Sequence, residues 1–129
     1  MSDTNKKYPL TLNELAQEVH QINADHGFWP VLLRLDQIES DTQQMLVAQK
    51  IALIHSEASE ALEDLRVGAI RTMINPETGK VTGLPSELID VLIRTLDLLA
   101  AMGVDIDKLV QLKTEYNKKR PMKHGGKLS

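Results

Sequence analysis

The chain contains no cysteine. That removes disulfide cross-links, thiolate nucleophiles and Cys-based zinc sites together, and it is compatible with a reducing compartment. Aromatic residues are nearly as scarce, at 3%: one Trp, one Phe and two Tyr. Leu, Ile, Val, Ala and Met must fill the interior, which favours helix over strand because strands are enriched in aromatic and β-branched residues. No uninterrupted apolar run approaches the roughly 18 residues of a membrane-spanning helix. The polar start Met1-Ser-Asp-Thr-Asn-Lys-Lys lacks the apolar centre of a secretory signal. The expectation is a soluble, cytoplasmic protein with no membrane partner. Basic excess is also missing: a net charge of −3 argues against nucleic acid as a partner of the whole surface. At 129 residues there is room for one ordinary core. It is assigned to 11–120, between a polar N-terminal tail at 1–10 and a basic tail at 121–129.

What the chain has in excess is carboxylate on helices. Lys50 to Arg66 reads as a helix in which, taking Glu57 as zero and about 100° per residue, Glu60 falls near 300° and Asp64 near 340°. Glu63 points elsewhere, near 240°, among Gln49, Ser56, Ser59, His55 and Arg66 on a water-facing side. The Glu57 stripe includes Leu46 and Leu53 and borders Ile54 and Ala61, so it lies at the edge of the apolar face. Carboxylates there are costly unless a cation meets them. Lys50, two turns before Glu57, is either a salt-bridge partner of that stripe or a phosphate contact.

A second helix, Ser86 to Met102, carries Glu87, Asp90, Arg94 and Asp97 within about 80° of one another. Its remaining positions are apolar over an arc wider than the roughly 100° that one core requires, which predicts enclosure on several sides and a dimer or tetramer. Two acidic pairs at i, i+3 on two helices, with 26 residues between them, suit a site for hard divalent cations such as Mg²⁺, with Mn²⁺ as a substitute. The plainer reading of Glu57 and Glu60 is a solvated face, and of Glu87 a first-turn acid favoured by the helix dipole.

Glu57-x-x-Glu60 followed by Glu87-x-x-Asp90 resembles the signature of the all-α nucleoside triphosphate pyrophosphohydrolases, the MazG-like superfamily that includes dimeric dUTPases and dCTP pyrophosphatases. Lys113-x-x-x-Asn117-x-x-Arg120 looks like that family's phosphate-contacting element, and Arg120-Pro-Met-Lys-His124-Gly-Gly-Lys127 looks like the ending of its small members. The similarity covers roughly residues 11 to 127. It implies an all-α bundle of four main helices and hydrolysis of an NTP or dNTP to the monophosphate and pyrophosphate. It further implies Mg²⁺ held by Glu57, Glu60, Glu87 and Asp90, with Glu57 or Glu60 activating water. A homo-oligomer in which a neighbouring subunit completes the pocket is implied as well. The alternative is a helical oligomer of the same fold that binds nucleotides for regulation without cleaving them. A ferritin-like di-iron bundle is excluded by spacing: no Glu is followed three residues later by His.

The rest of the chain is read in order. Thr11-Leu-Asn-Glu14 forms a capping box with Leu10 and Leu15 as its staple, opening a helix that ends near Gly27. His26-Gly27-Phe28-Trp29-Pro30 holds the only Phe and Trp. It is either an apolar plug or a base-stacking platform; the resemblance favours Trp29 in the base pocket, with His26 and Asn23 at polar edges of the nucleotide. Val31 to Ser40 is a short helix or an ordered connector, and Asp41 or Thr42 is the expected cap of the long second helix. Gly68 to Pro85 contains the turn signal Asn75-Pro-Glu-Thr-Gly79. It is either a small hairpin pairing Arg71–Ile74 with Lys80–Thr82 or a mobile segment, and a lid with Arg71 or Lys80 facing phosphate is one use for it. Asp105 is the expected cap of a fourth helix running to Arg120, where Pro121 stops it. Lys113, Asn117 and Arg120 share one face within about 60°.

Overall fold

The computed structural model describes residues 9–30, 33, 35 and 38–121. It is all-α apart from one hairpin: α1 (Leu12–Asp25), α2 (Asp41–Arg66), β1 (Met73–Ile74), β2 (Val81–Thr82), α3 (Leu84–Ala101) and α4 (Ile106–Lys118). Residues 31, 32, 34, 36 and 37 of the connector, the N-terminal tail up to residue 8 and the basic ending at 122–129, which includes His124 and Lys127, lie outside the described residues. No helix among the described residues is long and apolar enough to cross a membrane.

Each helix begins where local chemistry satisfies its first amides. Thr11 and Glu14 form the reciprocal capping box at α1. Ser40 caps α2 by accepting from the Gln43 amide, one residue before the expected Asp41 and two before Thr42. Asp105 caps α4 through the Lys108 amide, and α4 closes at Lys118 rather than at Arg120. The ends of α1 and α4 also cap each other. Asp107 accepts from the Leu12 amide at 3.0 Å, while Asn13 accepts from the Ile106 amide at 2.7 Å and donates to Asp105 at 2.9 Å. Donors that a helix terminus would leave unpaired are thus shared between two helices.

The long interval before α3 is a hairpin: Met73 pairs with Thr82 and Ile74 with Val81, antiparallel, around the 75–79 turn. Within that turn Asn75 Oδ1 accepts from the amides of Glu77 and Thr78. The hairpin is tied to the start of α3, which begins at Leu84, two residues before the expected Ser86, when the Leu84 amide donates to the Ala69 carbonyl at 3.0 Å. This approach requires glycine at 83. Its φ is +108°, and a Cβ there would stand 2.1 Å from the Arg71 carbonyl oxygen.

Helix α3 is the centre of the molecule, packing against α2 on one side and α1 on the other, with α4 against α1. Two apolar clusters flank it. Ala16, Leu96 and Ile106 join α1, α3 and α4; Leu33, Leu46 and Leu98, with Trp29, Ile38 and Ile54 around them, join α3 to α2 and the connector. The N-terminal half of α3 is not enclosed: Leu88, Ile89 and Leu92 are exposed, as are Leu62 and Leu65 on α2 and Leu109 and Leu112 on α4. A small domain cannot cover all faces of so apolar a helix with its own chain.

Gly83→Ala should destabilise the fold by about 2 kcal/mol or more, since it combines strain at positive φ with a backbone clash. Gly79→Ala, which has positive φ but nothing within 4 Å of its Cβ, should cost less. Urea unfolding of both variants checks this; equal costs would mean that the contact with Arg71 does not hold the loop on α3.

Candidate metal centre and adjoining cavity

The pairing of α2 with α3 runs antiparallel, so Glu57 faces Arg94 while Glu60 faces Glu87. Glu57, Glu87 and Asp90 each present a carboxylate oxygen, and these oxygens lie within 4.8 Å of one another. Glu60 stands beside this triad, exposed, and hydrogen-bonds Glu87. The consequence is electrostatic. The Glu87 carboxyl is pushed up to about 7, first by desolvation and then by the charge of Glu60, with Asp90 and Asp64 adding to it. Asp90 is raised as well, by desolvation and by Glu57, against the opposing pull of Arg94. Glu57 itself, only 12% exposed, is met by Arg94 Nε at 2.7 Å. Glu63 stands apart on the outer face, where Arg66 binds it at 2.6 Å and holds its carboxyl low. Three hard oxygen donors from two helices could hold a metal ion, and oxygen donors of this kind are those that hard divalent cations take.

Beside the triad opens a cavity of about 390 Å³ lined by Asn23, Phe28, Lys50, Leu53, Glu57, Asp90, Ile93, Arg94 and Asp97. It has an acidic wall at Glu57 and Asp90 and two cations, Lys50 and Arg94. A second cavity, of about 520 Å³, lies on the hairpin side of Glu87 and is lined by Asp64, Arg71, Met73, Thr82 and Gly83 among others. Arg71 therefore faces the hairpin cavity, whereas Lys80 lines neither.

The far end of the first cavity is organised by Asp97, a carboxylate only 6% exposed. One oxygen accepts from Trp29 Nε1 at 3.0 Å and lies 2.7 Å from His20 Nδ1; the other accepts from Asn23 Nδ2 at 2.9 Å. Three donors from α1 and the turn after it converge on one buried charge, which a buried carboxylate requires. Lys50 Nζ donates to the Phe28 carbonyl at 2.7 Å and sits 4.2 Å above the Trp29 ring. Burial pushes its pKa down, with Asp97 opposing that shift and Arg94 adding to it.

These positions redistribute the residues singled out from sequence. Glu57, Glu87 and Asp90 come together, with Glu60 adjoining. Lys50 reaches the cavity, but its hydrogen bond goes to a carbonyl, and no salt bridge to the Glu57 stripe forms among the described residues. Trp29 is half-buried, with the His20 ring edge-on at 5.0 Å and Lys50 on its face. The aromatic side chain that lines the cavity is Phe28, 60% exposed. His26 is exposed and bonds Ile22 O through Nδ1, away from both cavities. Lys113 lines a separate apolar hollow with Leu99, Val104 and Ile106, and neither Asn117 nor Arg120 lines a carboxylate cavity. Sequence reasoning missed Asp97, Arg94 and Phe28 as cavity residues. For the first two the available signal was their place on the polar strip of α3; Phe28 carried none that separated it from Trp29.

The raised Glu87 carboxyl sets a pH dependence. Its folded value of about 7 exceeds the ordinary 4.5, so the stability it contributes is complete below about pH 4.5 and is lost as pH rises through 7. The metal-free protein should melt at lower temperature at pH 8 than at pH 5.5, and Glu87→Gln should flatten that slope. Divalent-cation affinity should rise over the same interval, because binding must expel the proton. Thermal melts and Mn²⁺ titrations at both pH values measure the two trends; a flat Mn²⁺ affinity would remove Glu87 from the ligand set.

Compared with protein-family models, curated proteins and solved structures, the chain matches none, and its function is read from the chemistry of this site.

Proposed function

We propose that the protein is a Mg²⁺-dependent nucleoside triphosphate pyrophosphohydrolase, releasing a nucleoside monophosphate and pyrophosphate. The observation that carries the reading is the meeting of Glu57, Glu87 and Asp90 within 4.8 Å at the wall of a cavity that also holds Lys50 and Arg94. A site with carboxylates on one wall and cations on another suits a substrate whose anionic oxygens are partly neutralised by a divalent ion. The ion would supply Lewis-acid charge against the phosphate oxygens and acidify a water. The protein's share is positioning. Lys50 and Arg94 meet phosphate charge, Phe28 offers an open aromatic face to a base, and Asn23 offers an amide to its polar edge. Glu60, exposed and hydrogen-bonded to Glu87, is the carboxylate left to orient and deprotonate the water that attacks phosphorus. Water adds to phosphorus as the bond to the pyrophosphate oxygen breaks, so no covalent protein intermediate is required.

The exposed apolar side chains of α3, α2 and α4 support a homodimer or homotetramer, because a monomer would leave them in water. Such an assembly also gives Lys113, Asn117 and Arg120 a role. Their shared face on α4 lines neither carboxylate cavity of its own chain, and a second copy could bring it to a neighbour's triphosphate, where Arg120 would bind two oxygens at once.

Pyrophosphate release should be detected from at least one NTP or dNTP in a full panel with Mg²⁺, and EDTA should stop it. Glu57→Gln, Glu60→Gln, Glu87→Gln and Asp90→Asn should each lower kcat by about 100-fold or more, about 2.7 kcal/mol, whereas Glu63→Gln stays near wild type. Silence across the panel with both Mg²⁺ and Mn²⁺ would defeat the enzyme reading, and nucleotide binding without turnover would favour a regulatory role. Light scattering should give at least twice the 14.4 kDa chain mass. If Arg120 works across an interface, Arg120→Ala should lower kcat/KM about tenfold. Mixing that variant with inactive Glu57→Gln subunits should then restore part of the activity; mixtures no better than their components would place Arg120 outside a shared site.

A further inference from the structure

Arg94 belongs to two environments at once. Its Nε donates to Glu57 Oε1 at 2.7 Å, yet its side chain is 40% exposed and lines the cavity that Lys50 and Phe28 also line. A guanidinium carries five N–H donors in a planar fork. Only Nε has a partner among the described residues, so the terminal edge of the fork, the part that matches two phosphate oxygens side by side, is open. Its partner Glu57 is at the same time one of the three carboxylates that converge. A divalent cation among those carboxylates and the guanidinium both draw on the charge of Glu57, and at such range the two positive groups repel each other.

We propose that Arg94 is a phosphate-binding residue that neutralises Glu57 in the metal-free site and exchanges it for the triphosphate when the cation binds; this rests on the pyrophosphohydrolase reading above. In the metal-free site the pair offsets repulsion among Glu57, Asp90 and Glu87. Once a cation takes over that task, the guanidinium is left with an open cavity in which an oxyanion is its natural partner, beside the ammonium of Lys50. The exchange makes cation and phosphate binding reinforce each other, with the same coupling read from either side. A fixed clamp, in which Arg94 stays on Glu57 and orients it for the metal, has the opposite consequence. Loss of a clamp weakens cation binding, whereas loss of a competitor strengthens it.

The test uses calorimetric titration of the full chain, first with Mn²⁺ alone and then with tripolyphosphate, a base-free probe, at saturating Mn²⁺. Arg94→Gln should bind Mn²⁺ alone about fivefold more tightly than wild type and tripolyphosphate about tenfold more weakly. Arg94→Lys, which keeps stem and charge but loses the fork, should shift both in the same directions by less. Arg66→Ala, a substitution on the outer face of α2, should change neither. Mn²⁺ binding that is unchanged or weaker in both Arg94 variants overturns the exchange, as does undiminished tripolyphosphate binding. Wild-type protein that takes up no Mn²⁺, or takes it up equally well after Glu57→Gln, removes the cation site and the exchange with it; that failure is recognised in the first titration, before any Arg94 variant is compared.

Discussion

Antiparallel packing of α2 on α3 imposes the constraint on which the rest depends: it brings the carboxylates of Glu57, Glu87 and Asp90 within 4.8 Å of one another, with Glu60 and Asp64 close behind. Like charges so placed cannot all be ionised without a counter-charge. The chain answers in two ways. Arg94 lies across Glu57, and Glu87 keeps its proton to about pH 7. Both responses lower the repulsion within a cluster whose geometry could hold a metal ion.

A second carboxylate, Asp97, works by the opposite logic. It is buried and fully supplied with donors from His20, Asn23 and Trp29, which makes it structural glue between α3 and the end of α1. By fixing Trp29 it fixes the turn that carries Phe28, and through the Phe28 carbonyl it fixes the resting place of Lys50. The two carboxylate groups therefore divide the cavity: one wall is electrostatically open and the other is saturated. The polar strip of α3 provides both, with Glu87 and Asp90 at one end and Asp97 at the other, separated by Arg94.

The hairpin and the exposed apolar faces extend this arrangement outward. Gly83 lets the 69–71 loop lie on the start of α3, so Arg71 and Asp64 form a second hollow against Glu87. Apolar side chains are left uncovered on α2, α3 and α4. The basic strip of α4 lines neither carboxylate cavity.

Much of this was legible before any coordinates. Helical periodicity, a capping box at Thr11 and Glu14, the cap at Asp105 and the scarcity of aromatics determine an all-α chain, because these are local signals whose energies act within a few residues. The same periodicity placed Glu57 and Glu60 at an apolar edge and turned Glu63 away from it, and it set Glu87, Asp90, Arg94 and Asp97 on one strip. Which members of that strip face an open cavity and which are buried under donors was not legible. That depends on how α1 and its following turn lie over α3, a matter of contacts between residues some 70 positions apart, as between Asp97 and Asn23. Neighbouring Phe28 and Trp29 are equivalent in the sequence; only a tertiary hydrogen bond to Asp97 turns Trp29 inward and leaves Phe28 at the cavity. Lys113, Asn117 and Arg120 share a helical face, as spacing alone dictates, but that it lines neither carboxylate cavity was set by the packing of α4 on α1. Sequence determines which side chains share a face, because backbone geometry repeats locally; only the tertiary structure decides what that face meets, because that depends on the packing of whole helices.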